Sequence, residues 1–118
     1  MPPEGRDPAY LWDMLEAARN GMAVIEDVDF EAFARDTTRK LALERAVEIV
    51  GEAARRVSPE IRAAHPEIPW RLIVGQRNIL AHEYGHVDHA QLYRTATDDL
   101  PRLVEMLCEL LPPLDPSE

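Results

Sequence analysis

The residues best suited to chemistry lie in the stretch RNILAHEYGHVDH, where two patterns share His82. One pattern is H-E-x-x-H, formed by His82, Glu83 and His86. In zinc peptidases, two histidines so spaced bind the metal and the glutamate activates a metal-bound water. The other pattern places Arg77 five residues before His82 and Tyr84 two residues after it. One histidine cannot easily serve both chemistries, so the patterns are competing hypotheses.

The zinc hypothesis has local support, because His89 offers a third ring nitrogen and the residues flanking the motif are uncharged. Three features oppose it. Gly85 lies inside the motif and is expected to end the helix that would align His82 with His86. Asp88 stands where an apolar residue is usual, and no strand is predicted to bind a peptide. A surface histidine cluster is the favoured interpretation of His86 and His89.

Helices must position these residues, because apolar side chains recur at spacings of three and four and alternating strand patterns are absent. The first helix is expected from about residue 8 to 27, with Asp7 and Pro8 as cap and first-turn pair. Asp29 is expected to cap a short segment from Phe30 to Ala34. The buried stripe of the first helix is predicted to be Leu11, Leu15, Ala18, Met22 and Ile25.

A long third helix is predicted, and its apolar stripe is Leu43, Val47, Val50, Ala54 and Val57. Its opposite side is a solvated or interface face that carries Arg45, Glu48, Glu52 and Arg55. Ser58 and Pro59 begin a short helical turn, which ends before His65-Pro66. Asp88 is expected to cap a final helical stretch to about Leu111, kinked near Pro101. These elements predict an all-α protein, an antiparallel four-helix bundle with one or two short extra helices.

The helix that carries the motif is expected to start at Pro69 or Trp70 and to end near Gly85. Arg77 occupies the middle of its apolar stripe, with Trp70, Ile73, Leu80 and Tyr84. A buried guanidinium needs a partner, so Arg77 must either pair with an acidic residue such as Glu52 or face a cleft where an anion can reach it.

A neighbouring stripe of the same helix holds Arg71, Gly75, Asn78 and His82. Asn78 and His82 are one turn apart and can touch. Gly75 leaves room for a partner helix or a ligand, or is merely tolerated. Arg77 lies about 140° around the helix from His82. The two converge if the helix end distorts, if they reach one substrate from two edges, or if a second subunit completes the site.

Length and composition predict one domain, residues 1–118, with frayed ends at about 1–6 and 112–118. Cys108 is the single cysteine, so no intramolecular disulfide can form and a reducing cytoplasm is expected. Neither a signal peptide nor a membrane-spanning stretch is predicted.

The formal net charge of −9 opposes general binding to nucleic acid. Its distribution is uneven, because residues 37–97 carry 9 basic and 7 acidic side chains. Twelve of the 13 basic residues are arginine, which suits bidentate phosphate recognition but is also common in high-GC coding.

The octet RNILAHEY, Arg77 to Tyr84, resembles the R-x4-H-x-Y motif of HepT-like toxins in the HEPN superfamily. The resemblance extends over ERAVEIVGEAARRVSPEIRAAHPEIPWRLIVGQRNILAHEY, residues 44 to 84. Residues 8–43 and 88–111 fit the flanking helices more loosely. The histidine-rich sequence after Tyr84 departs from the family pattern.

The resemblance implies a four-helix bundle that forms a homodimer with the motif helices facing each other across a composite cleft. It implies a metal-independent ribonuclease toxin without a cofactor, acting on RNA such as tRNA or mRNA, in a type II/VII-like toxin–antitoxin pair. The implied partner is an MNT-type nucleotidyltransferase antitoxin. By position, Arg77, Asn78 and His82 would form the catalytic motif, and the partner would attach AMP to Tyr84. Arg71 is a candidate substrate contact.

These residue types suit that reaction. RNA carries its own nucleophile, the 2′-hydroxyl, so His82 could act as general base or acid without a metal. Arg77 would bind the scissile phosphate and Asn78 would orient His82 or a phosphate oxygen. Tyr84 has an alternative role, packing in a dimer seam. The alternative function is a non-catalytic module that binds the nucleotidyltransferase, which the acidic net charge favours.

Overall fold

The computed structural model describes residues 6–82 and 88–111, and in the first range it describes side chains up to Gln76. Every regular element in these ranges is helical, which confirms the all-α prediction for this part of the chain. The elements are α1 (Asp7–Val24), α2 (Phe30–Arg35), α3 (Thr37–Arg56), α4 (Pro59–Ala64), α5 (Trp70–His82), α6 (His89–Arg94), a π-helical segment (Thr95–Asp99) and α7 (Leu100–Leu110).

Short polar side chains determine where four of these helices begin, because each accepts a hydrogen bond from an otherwise unpaired backbone N–H of the first turn. Asp29 accepts from Ala32 N at 2.8 Å, and Asp88 accepts from Gln91 N at 3.1 Å, as predicted. Ser58 caps α4 in the same way. Asp36 caps α3 through Arg39 N at 3.0 Å, a cap that was not predicted.

The start of α1 differs from its prediction. Asp7 is the first residue of the helix and its side chain makes no capping bond. Its carboxylate is buried, with 4% of the residue exposed, and accepts hydrogen bonds from the backbone N–H and the hydroxyl of Ser58. The helix also ends at Val24 rather than residue 27, because a turn follows in which Asp27 adopts a left-handed φ of 59°.

The core forms where α1 packs on α3 and α7, and where α3 packs on α5. The predicted stripe of α3 is fully buried, with Leu43 and Ala54 at 0% exposure. Gly21 of α1 permits a close approach of α7, since a Cβ there would lie 2.7 Å from Leu100 Cδ1. Within the described ranges no helix combines the length and the apolar character needed to cross a membrane.

The last three elements follow one another without a break from His89 to Leu110. The interruption predicted near Pro101 takes the form of the π-helical segment, in which the N–H of Leu100 donates to the carbonyl of Thr95. Pro101 has no N–H, and in a regular α-helix its ring would clash with the carbonyl four residues earlier. The wider π turn just before it gives the chain a way around that clash.

Candidate functional site

Three predicted site residues, Arg77, Asn78 and His82, lie in the C-terminal half of α5. The helical backbone through His82 confirms the expected start of the motif helix and its continuity over these positions. Their side chains lie outside the described set, so their convergence stays a prediction. Tyr84 and the expected helix end at Gly85 belong to residues 83–87, which are also outside the described residues.

The N-terminal half of α5 is buried on one side. Trp70 is 8% exposed, and its Nε1 donates to the carbonyl of His65 at 3.0 Å, which fixes the start of the helix. Ile73 is partly buried against the core. This side therefore attaches α5 to α3, as the predicted stripe requires.

The other side of α5 is largely exposed with respect to the described residues of the chain. Leu72 is 75% exposed, and a Cβ on Gly75 would meet no atom within 4 Å. Arg71, the candidate substrate contact, is exposed and makes no ion pair with another described residue. This side offers apolar contact, open space and a cation, Arg71, that lies six residues or about 1.7 turns before Arg77.

Glu52 on α3, named above as a candidate partner of Arg77, binds two other guanidinium groups. Its Oε1 accepts from Arg55 Nη2 at 3.0 Å, and from Arg56 Nη2 at 3.0 Å and Nε at 3.2 Å. Arg45 pairs with Glu48 on the same face. The predicted polar face of α3 is thus a network of ion pairs, and an ion pair with Arg77 stays a prediction.

This polar face forms one wall of an open cleft of about 440 Å³ between α1 and α3. Tyr10 and Asp13 of α1 line it opposite Arg45 and Arg56. Both arginines already have carboxylate partners, so the described residues that line the cleft supply no uncompensated cation for a phosphate.

Gln76, directly before Arg77, makes a contact that sequence reasoning missed. Its Nε2 donates to Thr95 Oγ1 at 2.9 Å, and that hydroxyl donates to the carbonyl of Gln91 at 3.0 Å. Thr95 is 4% exposed and is the first residue of the π-helical segment. A sequence signal existed, because Gln76 lies three residues after Ile73 and so places a polar group beside the buried stripe.

A second cavity, of about 340 Å³, lies beside this hydrogen bond and has mainly apolar walls from α3, α5 and α7. Glu67 and Asp99 stand at its edge with Arg102. A hydrogen bond from its own backbone N–H lowers the pKa of Glu67, and His65 at 3.2 Å lowers it further. Glu67 is therefore ionised at neutral pH, and its charge disfavours an anionic ligand in this cavity.

His89 has a specific partner among the described residues, and the surface histidine cluster expected for His86 and His89 stays a prediction. His89 Nε2 lies 3.0 Å from Glu44 Oε2, and the two side chains are 34% and 14% exposed. The contact joins α6 to α3 and gives the partly exposed imidazole a carboxylate partner. His86 lies outside the described residues.

No group of three or more His, Cys, Asp or Glu side chains suited to a metal ion occurs among the described residues. Two of the H-E-x-x-H positions, Glu83 and His86, lie outside that set, as does the side chain of His82. His89, the third nitrogen of the zinc hypothesis, is bonded to Glu44.

Comparison with known proteins identifies the class of this chain, whose described elements are helical and whose Arg77 and His82 lie five residues apart on one helix. The sequence profile described as "Ribonuclease HepT-like" matches residues 14–110. The chain therefore belongs to the HepT-like ribonuclease family.

Individual relatives agree with this assignment. The chain is 36% identical to "Putative RNase MJ1380" of Methanocaldococcus jannaschii over 95 residues, covering 80% of this chain and 87% of that protein. It is 37% identical to "Probable ribonuclease HepT" of Thermococcus cleftensis over 94 residues, covering 80% and 86%. It is 31% identical to "Putative RNase TTE0752" of Caldanaerobacter subterraneus over 102 residues, covering 86% and 91%. No solved structure matches.

Proposed function

We propose that the chain is a metal-independent endoribonuclease toxin that acts as a homodimer. The observation that carries this proposal is the register of Arg77, Asn78 and His82 on α5, in a chain of the HepT-like ribonuclease family. The names of the relatives support ribonuclease activity at the level of the family.

In the proposed reaction, His82 removes the proton of the RNA 2′-hydroxyl, whose oxygen attacks the adjacent phosphorus and expels the 5′-oxygen of the next nucleotide. Arg77 stabilises the charge that develops on the phosphoryl oxygens, and Asn78 orients His82 or one of those oxygens. The leaving 5′-oxygen takes a proton from the protonated His82 or from water, and the products are a 2′,3′-cyclic phosphate and a free 5′-hydroxyl. No metal is needed to generate the nucleophile, because the substrate supplies it.

The proposed assembly is an antiparallel four-helix bundle that dimerises with two α5 helices facing each other. The exposed side of α5 supports this arrangement, because Leu72 would be buried and Gly75 would permit close approach of a second helix. A twofold axis there would bring two copies of the motif to one cleft, and Arg71 would lie at its entrance.

The proposed partner is an MNT-type nucleotidyltransferase that neutralises the toxin by attaching AMP to Tyr84. Tyr84 follows His82 by two residues, so a bulky anion there would pair with the guanidinium of Arg77, which the substrate needs.

The acidic net charge favours a second candidate function, a module that binds the nucleotidyltransferase without cleaving RNA.

A cleavage assay on cellular RNA with EDTA present tests the function. We expect the wild-type chain to leave cyclic phosphate ends and Arg77→Ala and His82→Ala to lose at least about 100-fold in rate, as expected for groups that act on the reacting atoms. Arg94→Ala is the control, since Arg94 is exposed and bonds to Gln91. Cleavage that survives in both motif variants, or that no form of the protein performs, would favour the binding module.

A further inference from the structure

We propose that Gln76 and His89 are positioning residues that fix the two ends of the motif segment, defined as residues 77–87. Gln76 precedes this segment directly and bonds to Thr95, whereas His89 lies two residues after it and bonds to Glu44. This inference rests on the proposed function, because the segment contains Arg77, His82 and Tyr84.

The first anchor, the hydrogen bond between Gln76 and Thr95, has a defined donor and acceptor. The single proton of the Thr95 hydroxyl is donated to the carbonyl of Gln91, so a lone pair of Oγ1 is left for the amide of Gln76. Thr95 is buried, and its rotation is limited by that bond. The contact therefore constrains how α5 is rotated at the residue that immediately precedes Arg77.

The π-helical segment contributes to the same anchor. Thr95 is its first residue, and the segment lies between α6 and the helix that begins at Leu100. A π turn contains about one residue more than an α turn, which rotates α6 by about 100° relative to α7. Pro101 thus helps to determine the side of the helix on which Thr95 meets Gln76.

The second anchor joins α6 to α3. His89 is the first residue of α6, behind the cap that Asp88 supplies. Glu44 is only 14% exposed and His89 34%, so their bond is partly shielded from competing water. This contact fixes the position of the chain where it leaves the motif segment, relative to the same helix, α3, on which α5 packs.

The two anchors thus hold Gln76, directly before the motif segment, and His89, just after it, relative to the π-helical segment and α3. Loosening either end lets Arg77 and His82 depart from their productive separation without removing a catalytic group. Because small displacements of reacting groups cost rate, we expect each anchor variant to lower kcat roughly tenfold to a hundredfold with KM changed less than about threefold.

Two substitutions at the same position, one that keeps the hydrogen bond and one that removes it, distinguish a positioning role from simple loss of a side chain. Thr95→Val keeps the shape of the side chain but removes its hydroxyl, so we expect it to lower kcat. Thr95→Ser retains the hydroxyl, so we expect the serine variant to keep the wild-type kcat. His89→Leu breaks the bond to Glu44, whereas His89→Gln can still donate to it and should restore most of kcat. Thr97→Val is the control for Thr95→Val, since Thr97 is exposed on the same π-helical segment and bonds to Arg94.

Amide hydrogen exchange tests the anchors independently of RNA cleavage. We expect Thr95→Val and Gln76→Met to speed exchange of the α5 amides from residue 77 to 82 at least about fivefold, while α1 and α3 amides stay unchanged, because local opening reports local stability. Unchanged exchange at those amides, or equal kcat in Thr95→Val and Thr95→Ser, would overturn the proposal. A wild-type protein that never cleaves RNA would instead count against the proposed function, and the exchange result would still decide whether the anchors exist.

Discussion

Asp7 and Ser58 are joined by two hydrogen bonds across 51 residues of sequence. The backbone N–H of Ser58 donates to Asp7 Oδ1 at 2.9 Å, and its hydroxyl donates to Asp7 Oδ2 at 2.7 Å. The same hydroxyl accepts from Ile61 N, which caps α4. One buried carboxylate thus connects the first turn of α1 to the junction of α3 and α4.

Asp7→Ala should lower the free energy of unfolding by about 2–3 kcal/mol, because it leaves a part-buried N–H and hydroxyl without a charged acceptor. Urea denaturation followed by circular dichroism measures the change. Asp13→Ala is a matched control on the exposed side of α1 and should change stability by less than about 0.5 kcal/mol. Equal effects of the two substitutions would contradict a structural role for the Asp7 contact.

Leu72→Asp should weaken the proposed dimer. A leucine that becomes buried contributes roughly 1.5–3 kcal/mol, and a twofold interface counts it twice, so the dimer Kd should rise at least about 100-fold. Sedimentation velocity over a concentration series measures this. Leu41→Asp is the control, since Leu41 is also exposed, at 60%, but lies on α3. A dimer unaffected by Leu72→Asp would place the interface elsewhere.

Arg71→Ala should raise KM for RNA about threefold to tenfold and leave kcat nearly unchanged, since Arg71 lies before the motif and would contact a flanking phosphate. Losing one phosphate contact should also reduce the slope of log KM against log salt by nearly one unit. Steady-state kinetics at several salt concentrations measure both quantities. A fall in kcat with unchanged KM would instead assign Arg71 to the reaction itself.

Tyr84→Phe should abolish AMP attachment and leave RNA cleavage intact, because the proposed modification requires the phenolic oxygen and the proposed reaction does not. Intact-protein mass spectrometry after incubation with the nucleotidyltransferase and ATP detects the modification. Cells that carry both proteins should then fail to suppress the toxicity of the variant. Continued modification of Tyr84→Phe would move the acceptor to another side chain.

Metal removal distinguishes the two patterns that share His82. The ribonuclease proposal expects unchanged cleavage after EDTA treatment and gel filtration, because the 2′-hydroxyl is the nucleophile. Elemental analysis of protein prepared without a histidine tag is the matching measurement. About one zinc per chain, with activity lost on chelation and restored by zinc, would support the H-E-x-x-H interpretation instead.

Local rules predicted most of the helical framework. Asp29, Ser58 and Asp88 begin helices where short polar residues precede apolar periodicity, and the stripe from Leu43 to Val57 is buried as its spacing requires. These features depend on neighbours within one or two turns. Asp7 was assigned wrongly because its partner, Ser58, is distant in sequence and a carboxylate beside a helix start is also the usual sign of a cap.

The contacts around the motif were less accessible to sequence reasoning. The partners of Gln76 and His89 are Thr95 and Glu44, which lie 19 and 45 residues away, so only the packing of helices brings them together. The motif itself was recognisable because its spacing is local.

Trp70 gives the start of the motif helix an optical reporter. It is buried, its indole N–H is bonded to His65, and the chain has only one other tryptophan, Trp12. In a Trp12→Phe background, the emission wavelength of Trp70 would report, in real time, how tightly α5 packs on α3. Binding of RNA, a second subunit or the nucleotidyltransferase could then be recorded by intrinsic fluorescence, without a label in the motif.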